Sequence, residues 1–291
     1  MNLFTVCSDN GQRLKAQYES GFSAEDRAKA EPFLEDVRER GRLSINRTPS
    51  HLFNILQERI YLNVHRFAER ESGRLGKSVE DILHEKLKDK WFAKRVAFDS
   101  HFEAGTAFLY ASLNIGNAGA LHYGDYCIIW KRDLHNDYRT GYLEGDSLVR
   151  FVSNSNEVDE ESLSVGCACH DTKQYLAVHK HRAVALSADR SLWANCLCND
   201  GKEDKQDYIE AIFENGTGEV AISYIEEIRL PQENKKRYED TEQELRLLDD
   251  EEYAIFEETD AETAQMVTAF QKISEIIAER GLPMIKGIKD A

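Results

Sequence analysis

Short apolar segments follow one another closely through the middle of the chain, and this spacing constrains the fold more than any other feature. Segments of this length, bounded by polar and Gly-containing stretches, are typical of β-strands. The most apolar of them, DYCIIWK at 125–131, suits the centre of a sheet. We predict strands at 108–113, 125–131, 148–152, 163–169, 175–178, 183–186, 192–198, 208–213 and 220–230. Because the segments lie so close together, they favour an antiparallel or mixed sheet.

Helical periodicity is confined to the two ends of the chain. It predicts helices at 24–41, 78–101 and 261–280, with Ser78 as an N-cap. A strand at 42–47 is followed by Thr48-Pro49 and by a helix that Ser50 would cap. We find no internal repeat and no low-complexity linker. The prediction is one α+β domain over 1–291: a helical part (1–104), a β-rich core (105–231) of largely antiparallel sheet, and an acidic segment with a C-terminal amphipathic helix (232–291).

Composition narrows the class of protein. The 291 residues are 41% apolar, which is enough for a substantial core. The net charge of −16 repels phosphate backbones and argues against broad nonspecific nucleic-acid binding, although a local basic groove is compatible with it. No apolar run is long enough to span a bilayer, and the N-terminus has no secretory pattern. We therefore expect a cytosolic protein with no membrane partner.

Much of the negative charge lies between Glu239 and Glu262, in runs such as Asp249–Glu252. Such a run is typical of a solvated surface. It could also form a docking face for a basic protein partner or an antitoxin, and this is the basis of an alternative function, a non-catalytic acidic interaction protein.

One carboxylate interrupts an apolar strand segment, at Glu210 in YIEAIF. A buried charge without a partner costs several kcal/mol, roughly, so such a residue needs a reason. We expect Glu210 on the wet face of the sheet or in a cleft where its charge is used. The sequence has no Walker-type loop, no G-x-G-x-x-G after a strand, no H-E-x-x-H and no G-x-S-x-G. Nucleotide hydrolysis and serine-hydrolase chemistry are therefore disfavoured.

Three segments in order resemble the ADP-ribosyltransferase fold: the strand ending Ile45-Asn46-Arg47-Thr48, the strand at 108–113 followed by Tyr123-Gly124, and the late Glu210 strand. The resemblance implies an NAD-dependent transferase that modifies a protein or nucleic acid, as a toxin or phage-defence effector does. It implies Glu210 as the catalytic acid on the ribose, Arg47 as the anchor of the dinucleotide, and Tyr110 or Ser112 on the nicotinamide side. An aromatic ring such as Tyr110 or Tyr123 could stack on the nicotinamide.

The chemistry suits these residue types. Cleavage of the nicotinamide–ribose bond passes through an oxocarbenium-like state, which a fixed carboxylate stabilises. A guanidinium offers two planar donors to a diphosphate. Tyr208 holds the position two before Glu210, where members that modify arginine carry Glu or Gln, and this argues against arginine as the acceptor.

Cysteine and histidine pairs suggest a second alternative, a zinc-stabilised domain. On strands, residues two apart share a face, so each pair could present two ligands. The same residues could instead fill a core as thiols, or form a Cys-His nucleophile pair from Cys127 or Cys169 with a histidine. The candidate ligands are Cys167, Cys169, His170, His179, His181, Cys196 and Cys198.

Overall fold

The computed structural model describes residues 1–198, 208–248 and 250–288. Its helices are α1 (Leu3–Gly21), α2 (Ala24–Arg40), α3 (Pro49–Glu58), α4 (Val64–Leu75), α5 (Val79–His101), α6 (Ser147–Arg150), α7 (Glu160–Val165), α8 (Lys173–Lys180), α9 (Arg182–Ala185), α10 (Leu192–Leu197), α11 (Gln232–Leu245), α12 (Asp250–Thr259) and α13 (Ala261–Glu279). Short 3₁₀ turns connect several of them.

The strands are β1 (Arg42–Arg47), β2 (Ile60–Leu62), β3 (Leu109–Asn114), β4 (Tyr126–Trp130), β5 (Arg139–Leu143), β6 (Cys167–Cys169), β7 (Glu210–Glu214), β8 (Glu219–Ala221), β9 (Ile225–Pro231) and β10 (Lys286–Ile288). Eight of them form one sheet in the order β10-β9-β4-β1-β3-β7-β5-β6, and β2 pairs with β8. Within the eight-stranded sheet every pairing is antiparallel except β9 with β10. The predicted α+β class with a mostly antiparallel sheet is confirmed.

The strongest local signals gave the right elements. The predicted helices at 24–41, 78–101 and 261–280 correspond to α2, α5 and α13, and Ser78 caps α5 by accepting a hydrogen bond from the Asp81 backbone N–H. The cap predicted at Ser50 is wrong. The helix begins at Pro49 with Thr48 in the N-cap position, because the fixed φ of proline suits the first helical turn.

Several predicted strands are helices. The segments at 148–152, 175–178, 183–186 and 192–198 lie in or at α6, α8, α9 and α10, and only the end of 163–169 forms a strand. These apolar runs are too short to show whether their buried positions repeat every second residue, as in a strand, or every third to fourth residue, as in a helix. Helix α1 is absent from the sequence prediction, although its residues Leu3, Cys7, Leu14 and Tyr18 are buried.

The two faces of the central strands differ sharply. On one face, Leu43 and Ile45 of β1 join Ala111 and Leu113 of β3 in the main apolar core. On the other face, the register aligns Ser44 with Ser112, and Ser112 with Glu210. All three side chains are buried, with Glu210 only 3% exposed. A buried polar row on the central strands of a sheet is unusual, and it marks the side on which a site lies.

The sheet divides between β1 and β3. These strands pair only from Arg42↔Asn114 to Ser44↔Ser112. Beyond Ser44, β1 continues against β4, while the Leu109–Ser112 part of β3 pairs with β7. Backbone groups that would have joined β1 to β3 therefore face a gap, which we call the fork. The Ser44 and Ser112 hydroxyls, 2.9 Å apart, close its inner end.

A helical pair covers the fork. Helices α4 and α5 pack on each other around Ala68, Ile82 and Leu83, which form a small apolar cluster of their own. Helix α5 is broken at Lys88, where φ is 59° and ψ is 155°. Phe92, which follows the break, still packs against this cluster, and Phe98 near the end of α5 lies in a second apolar cluster with Phe108 and Ile212 of the sheet side.

In the described residues, no helix combines the length and the apolar character that a membrane crossing needs. The acidic segment from Glu239 to Glu262 runs through the end of α11, α12 and the start of α13. Asp249 lies outside the described residues.

Candidate functional site

The fork opens into a cavity of about 530 Å³, a size typical of sites for small ligands and cofactors. Its walls come from β1, β3, β7, the β2 segment and helices α3 to α5. The five residues singled out from the sequence all line this cavity: Arg47, Tyr110, Ser112, Tyr123 and Glu210. Segments far apart in the chain thus converge because β1, β3 and β7 are neighbours in the sheet.

Glu210 lies against a second carboxylate, Asp146, which the sequence reasoning missed. The Glu210 Oε2 atom accepts a hydrogen bond of 2.7 Å from the backbone N–H of Ser147. Asp146 caps α6 through Oδ1, which accepts from Leu148 and Val149. Its Oδ2 accepts from the Tyr208 hydroxyl at 2.9 Å. Asp146 is thereby fixed beside Glu210, which lies in a cleft, the second of the two placements expected from the sequence.

Burial is the main cause of an altered pKa at Glu210. Burial and the neighbouring Asp146 raise the pKa of Glu210 to about 8, against the opposing effects of Arg95 and the Ser147 hydrogen bond. We call Glu210 and Asp146 the carboxylate dyad. Near neutral pH, Glu210 therefore holds its proton, while Asp146 accepts from its hydrogen-bond donors.

The raised pKa predicts a pH-dependent stability. Between the ordinary value of 4.5 and about 8, the folded chain holds a proton that the unfolded chain has released. The free energy of unfolding therefore falls as the pH rises through this window, by about 1.4 kcal/mol per unit at most. We expect Glu210→Gln to remove this slope, so that the variant matches wild type at pH 5 and exceeds it at pH 9 in urea unfolding. Parallel pH profiles for the two proteins would contradict the assignment.

The loop that carries Tyr123 is fastened to β1. Asn46 donates to the carbonyl oxygens of Ala118 and Gly124, each at 2.9 Å, and its Oδ1 accepts from the Ala120 N–H. Gly124 has a φ of 139°, and a Cβ there would overlap the backbone of Arg47. Glycine at this position allows the two backbone segments to approach closely. This close approach holds Tyr123 beside the dyad, where its hydroxyl lies 3.4 Å from Asp146 Oδ2 and the residue is 44% exposed.

Tyr110 and Ser112 have partners that limit their roles. The Tyr110 hydroxyl donates to Asp99, and the Arg95 guanidinium covers the ring at 3.6 Å from its centroid. One face of this ring is therefore already occupied. The Ser112 hydroxyl contacts Ser44 and the thiol of Cys198. Of the two predicted stacking aromatics, Tyr123 has the more accessible ring.

The mouth of the cavity carries positive charge. The Arg47 guanidinium donates to the Tyr61 hydroxyl and, at 2.7 Å, to the Asn46 carbonyl oxygen. The Lys86 Nζ lies 3.0 Å from His51 Nε2. Within the residues that the structure covers, neither Arg47 nor Lys86 has a carboxylate partner. Two like charges without counterions at one opening favour an anionic ligand.

His51 is the neutral member of this group. Burial, Lys86 and Arg47 lower the pKa of His51, and burial together with Arg47 lowers the pKa of Lys86. Because the lysine ammonium is a donor, His51 Nε2 accepts, and Nδ1 then donates to the Thr48 hydroxyl at 2.8 Å. We call the group of Arg47, Lys86 and His51 the cationic mouth.

The cationic mouth and the carboxylate dyad lie at opposite ends of the cavity. Arg47 is three residues beyond Ser44 on β1, and Glu210 is two strands across from Ser44. Strand rise and spacing put these Cα positions roughly 14 Å apart. A ligand that reaches both ends is therefore elongated, with an anionic group at one end and an uncharged or cationic group at the other.

Sequence reasoning missed the residues that complete the site. Lys86 and Arg95 lie on α5, where they read as ordinary solvated positions of an amphipathic helix. Asp146 precedes a segment predicted as a strand. The pattern Asp146-Ser147-Leu148, with an N-cap residue before an apolar position, was the signal available for α6.

Of the three predicted cysteine and histidine pairs, one shares a strand as expected and the other two do not. Cys167 and Cys169 lie on β6, but His179 is on α8 and donates from Nε2 to the Leu14 carbonyl oxygen, and Cys196 is on α10. His170 stacks on His135 with ring centroids 3.6 Å apart. No disulfide joins any of the six cysteines, all of which lie within the described residues. Among the described residues, no three His, Cys, Asp or Glu side chains are grouped as metal ligands would be.

A comparison with models of known protein families found no match, and neither did a comparison with curated protein sequences.

Proposed function

We propose that the cavity binds NAD and that the protein transfers ADP-ribose to a macromolecule. The observation that carries this proposal is the convergence of Arg47, Tyr123 and Glu210 on one cavity at the fork. The cationic mouth suits the diphosphate, because a guanidinium and an ammonium without carboxylate partners can both donate to it. The dyad end, roughly 14 Å away by strand geometry, suits the nicotinamide riboside.

The dyad offers the chemistry that the transfer needs. The bond between ribose C1′ and the nicotinamide nitrogen breaks, and its electron pair leaves with neutral nicotinamide. Positive charge then develops on the ribose, where ionised Glu210 accepts a hydrogen bond from a ribose hydroxyl and stabilises that charge. A nucleophile of the acceptor attacks C1′ and loses its proton. The cationic nicotinamide ring itself favours the ionised form of Glu210, because opposite charge lowers a carboxyl pKa.

The acceptor is proposed only by class, a protein side chain or a nucleic-acid base, and a role as a toxin or phage-defence effector follows from the family resemblance. Tyr208 is part of the site, since its hydroxyl binds Asp146. The position two before Glu210 is therefore occupied by a residue that supports the dyad.

The test uses the purified chain and NAD labelled in its adenylate moiety. We expect NAD to raise the melting temperature of the protein, and we expect nicotinamide release to accompany transfer of label into either the protein or the nucleic-acid fraction of added cell extract. An unlabelled chase and heat-denatured protein serve as controls. Absence of stabilisation by millimolar NAD, together with no release of nicotinamide, would exclude the proposal.

A further inference from the structure

A buried guanidinium nitrogen at the dyad end has no hydrogen-bond partner among the described residues. Arg95 lies on the part of α5 that follows the break at Lys88, and its side chain is 12% exposed. The Nη1 atom is shielded from solvent and makes no hydrogen bond to any described residue. Its nearest carboxylate oxygen, Asp99 Oδ1, is 3.5 Å away and already accepts from the Tyr110 hydroxyl. Buried charged donors are nearly always paired, so this atom calls for an acceptor.

The surroundings hold this guanidinium in place. It stacks on the Tyr110 ring at 3.6 Å, and Asp99 is itself fixed by His65 at 2.7 Å. Burial lowers the pKa of Arg95, but Tyr110, Asp99 and Glu210 outweigh that effect and raise it above its usual range. Arg95 therefore stays a donor at every accessible pH, and its direction cannot adapt to an ill-placed ligand.

The charge around Arg95 decides which acceptor it can take. Asp99, Asp146 and Glu210 already surround this one guanidinium with carboxyl groups. A further anion would be repelled, so the missing acceptor is an uncharged oxygen. Glu210 is the group suited to a hydroxyl, since a carboxylate accepts its proton. A guanidinium only donates, and it suits an oxygen that only accepts, such as an amide carbonyl.

We propose that Arg95 is the specificity-determining residue of the cavity, and that its Nη1 donates to the carboxamide oxygen of the nicotinamide. The inference depends on the proposed function, because it names the group of NAD that occupies the dyad end. It assigns the two ends to separate parts of the ligand: the cationic mouth binds the diphosphate, and Arg95 selects the base.

The experiment compares NAD with ADP-ribose, which keeps the diphosphate and lacks the nicotinamide. Calorimetric titration of wild type, Arg95→Met and Arg47→Met gives the dissociation constant for each ligand. We expect Arg95→Met to weaken NAD binding by about 10- to 100-fold, as expected for one charge-assisted hydrogen bond, and to leave ADP-ribose binding unchanged. Arg47→Met is expected to weaken both ligands alike. The ratio of the two constants is the readout, because a merely structural defect lowers both affinities together.

Arg95→Lys covers the case in which Arg95→Met does not fold, since it keeps the charge but loses the planar donor pair. Arg95→Lys should again weaken the binding of NAD and leave the binding of ADP-ribose unchanged. Equal weakening of both ligands by the Arg95 variants, or no weakening of either, overturns the inference and leaves NAD binding intact. If wild type binds neither ligand, the proposed function fails and the inference fails with it.

Discussion

Replacing Glu210 by Gln is expected to lower the rate of nicotinamide release from NAD by about two to three orders of magnitude, with little change in NAD affinity. The carboxylate stabilises charge that develops only in the transition state, so removing the carboxylate lowers kcat. The amide keeps the volume of the side chain and can still accept from Ser147. Single-turnover assays with saturating NAD measure the effect directly.

The pH dependence sharpens this prediction. Because burial and Asp146 raise the pKa of Glu210 to about 8, kcat/KM of the wild type should rise with pH and level off above that value. Glu214→Gln is the matched control: Glu214 lies on the same strand and is equally buried, but it pairs with Arg139 and does not line the cavity. It should leave the rate nearly unchanged. Equal losses in both variants would mean that the rate reports damage to β7.

Removing both charges of the cationic mouth, in Arg47→Met with Lys86→Met, is expected to weaken NAD and ADP-ribose binding by about 100-fold or more. Each charge-assisted hydrogen bond contributes about 1.5–3 kcal/mol, and no carboxylate among the described residues competes for either side chain. The remaining affinity should also depend less on salt. Lys86 is exposed and Arg47 partly exposed, so salt screens their attraction for the ligand, and this screened contribution is lost when both charges are removed. Titrations at low and high salt measure both effects.

Lys77→Met is the control for this pair. Lys77 precedes α5 and lies 2.6 Å from Glu85, so its charge already has a partner. It lies outside the cavity lining. We expect its affinity and salt dependence to match those of wild type. If Lys77→Met weakened binding as much as the double variant, general loss of positive charge would explain the result.

The sequence predicted the elements whose signals are local and long. Helices α2, α5 and α13 extend over several turns, so their apolar periodicity could be recognised in the sequence. The ends of β1 could be recognised because Gly41 precedes it and Pro49 follows it. Segments such as those of α8 and α10 were misassigned because a few buried apolar residues fit either state. Packing between α1, α2 and α8 decides whether the α8 segment is a helix or a strand, and a short stretch of sequence carries no information about that packing.

The residues of the site likewise divide into those with a local signal in the sequence and those without one. Glu210 could be selected because a carboxylate in an apolar run breaks a local rule, and Arg47 because it ends a recognisable strand. Lys86, Arg95 and Asp146 break no rule where they stand in the sequence. They enter the site only because α5 crosses the fork and α6 begins beside β7, and the second arrangement depends on contacts such as Ser147 with Glu210, 63 residues apart in the chain.

The point at which β1 and β3 stop pairing sets the width of the cleft. Two more rungs of backbone hydrogen bonds beyond Ser44↔Ser112 would bring Asn46 opposite Tyr110 and leave no room between the strands. The hydroxyl pair at Ser44 and Ser112, 2.9 Å apart, thus marks both the last paired rung of the two strands and the floor of the cleft. The depth of the cleft is therefore a property of strand register in the central sheet, with the surrounding helices and loops adding its walls.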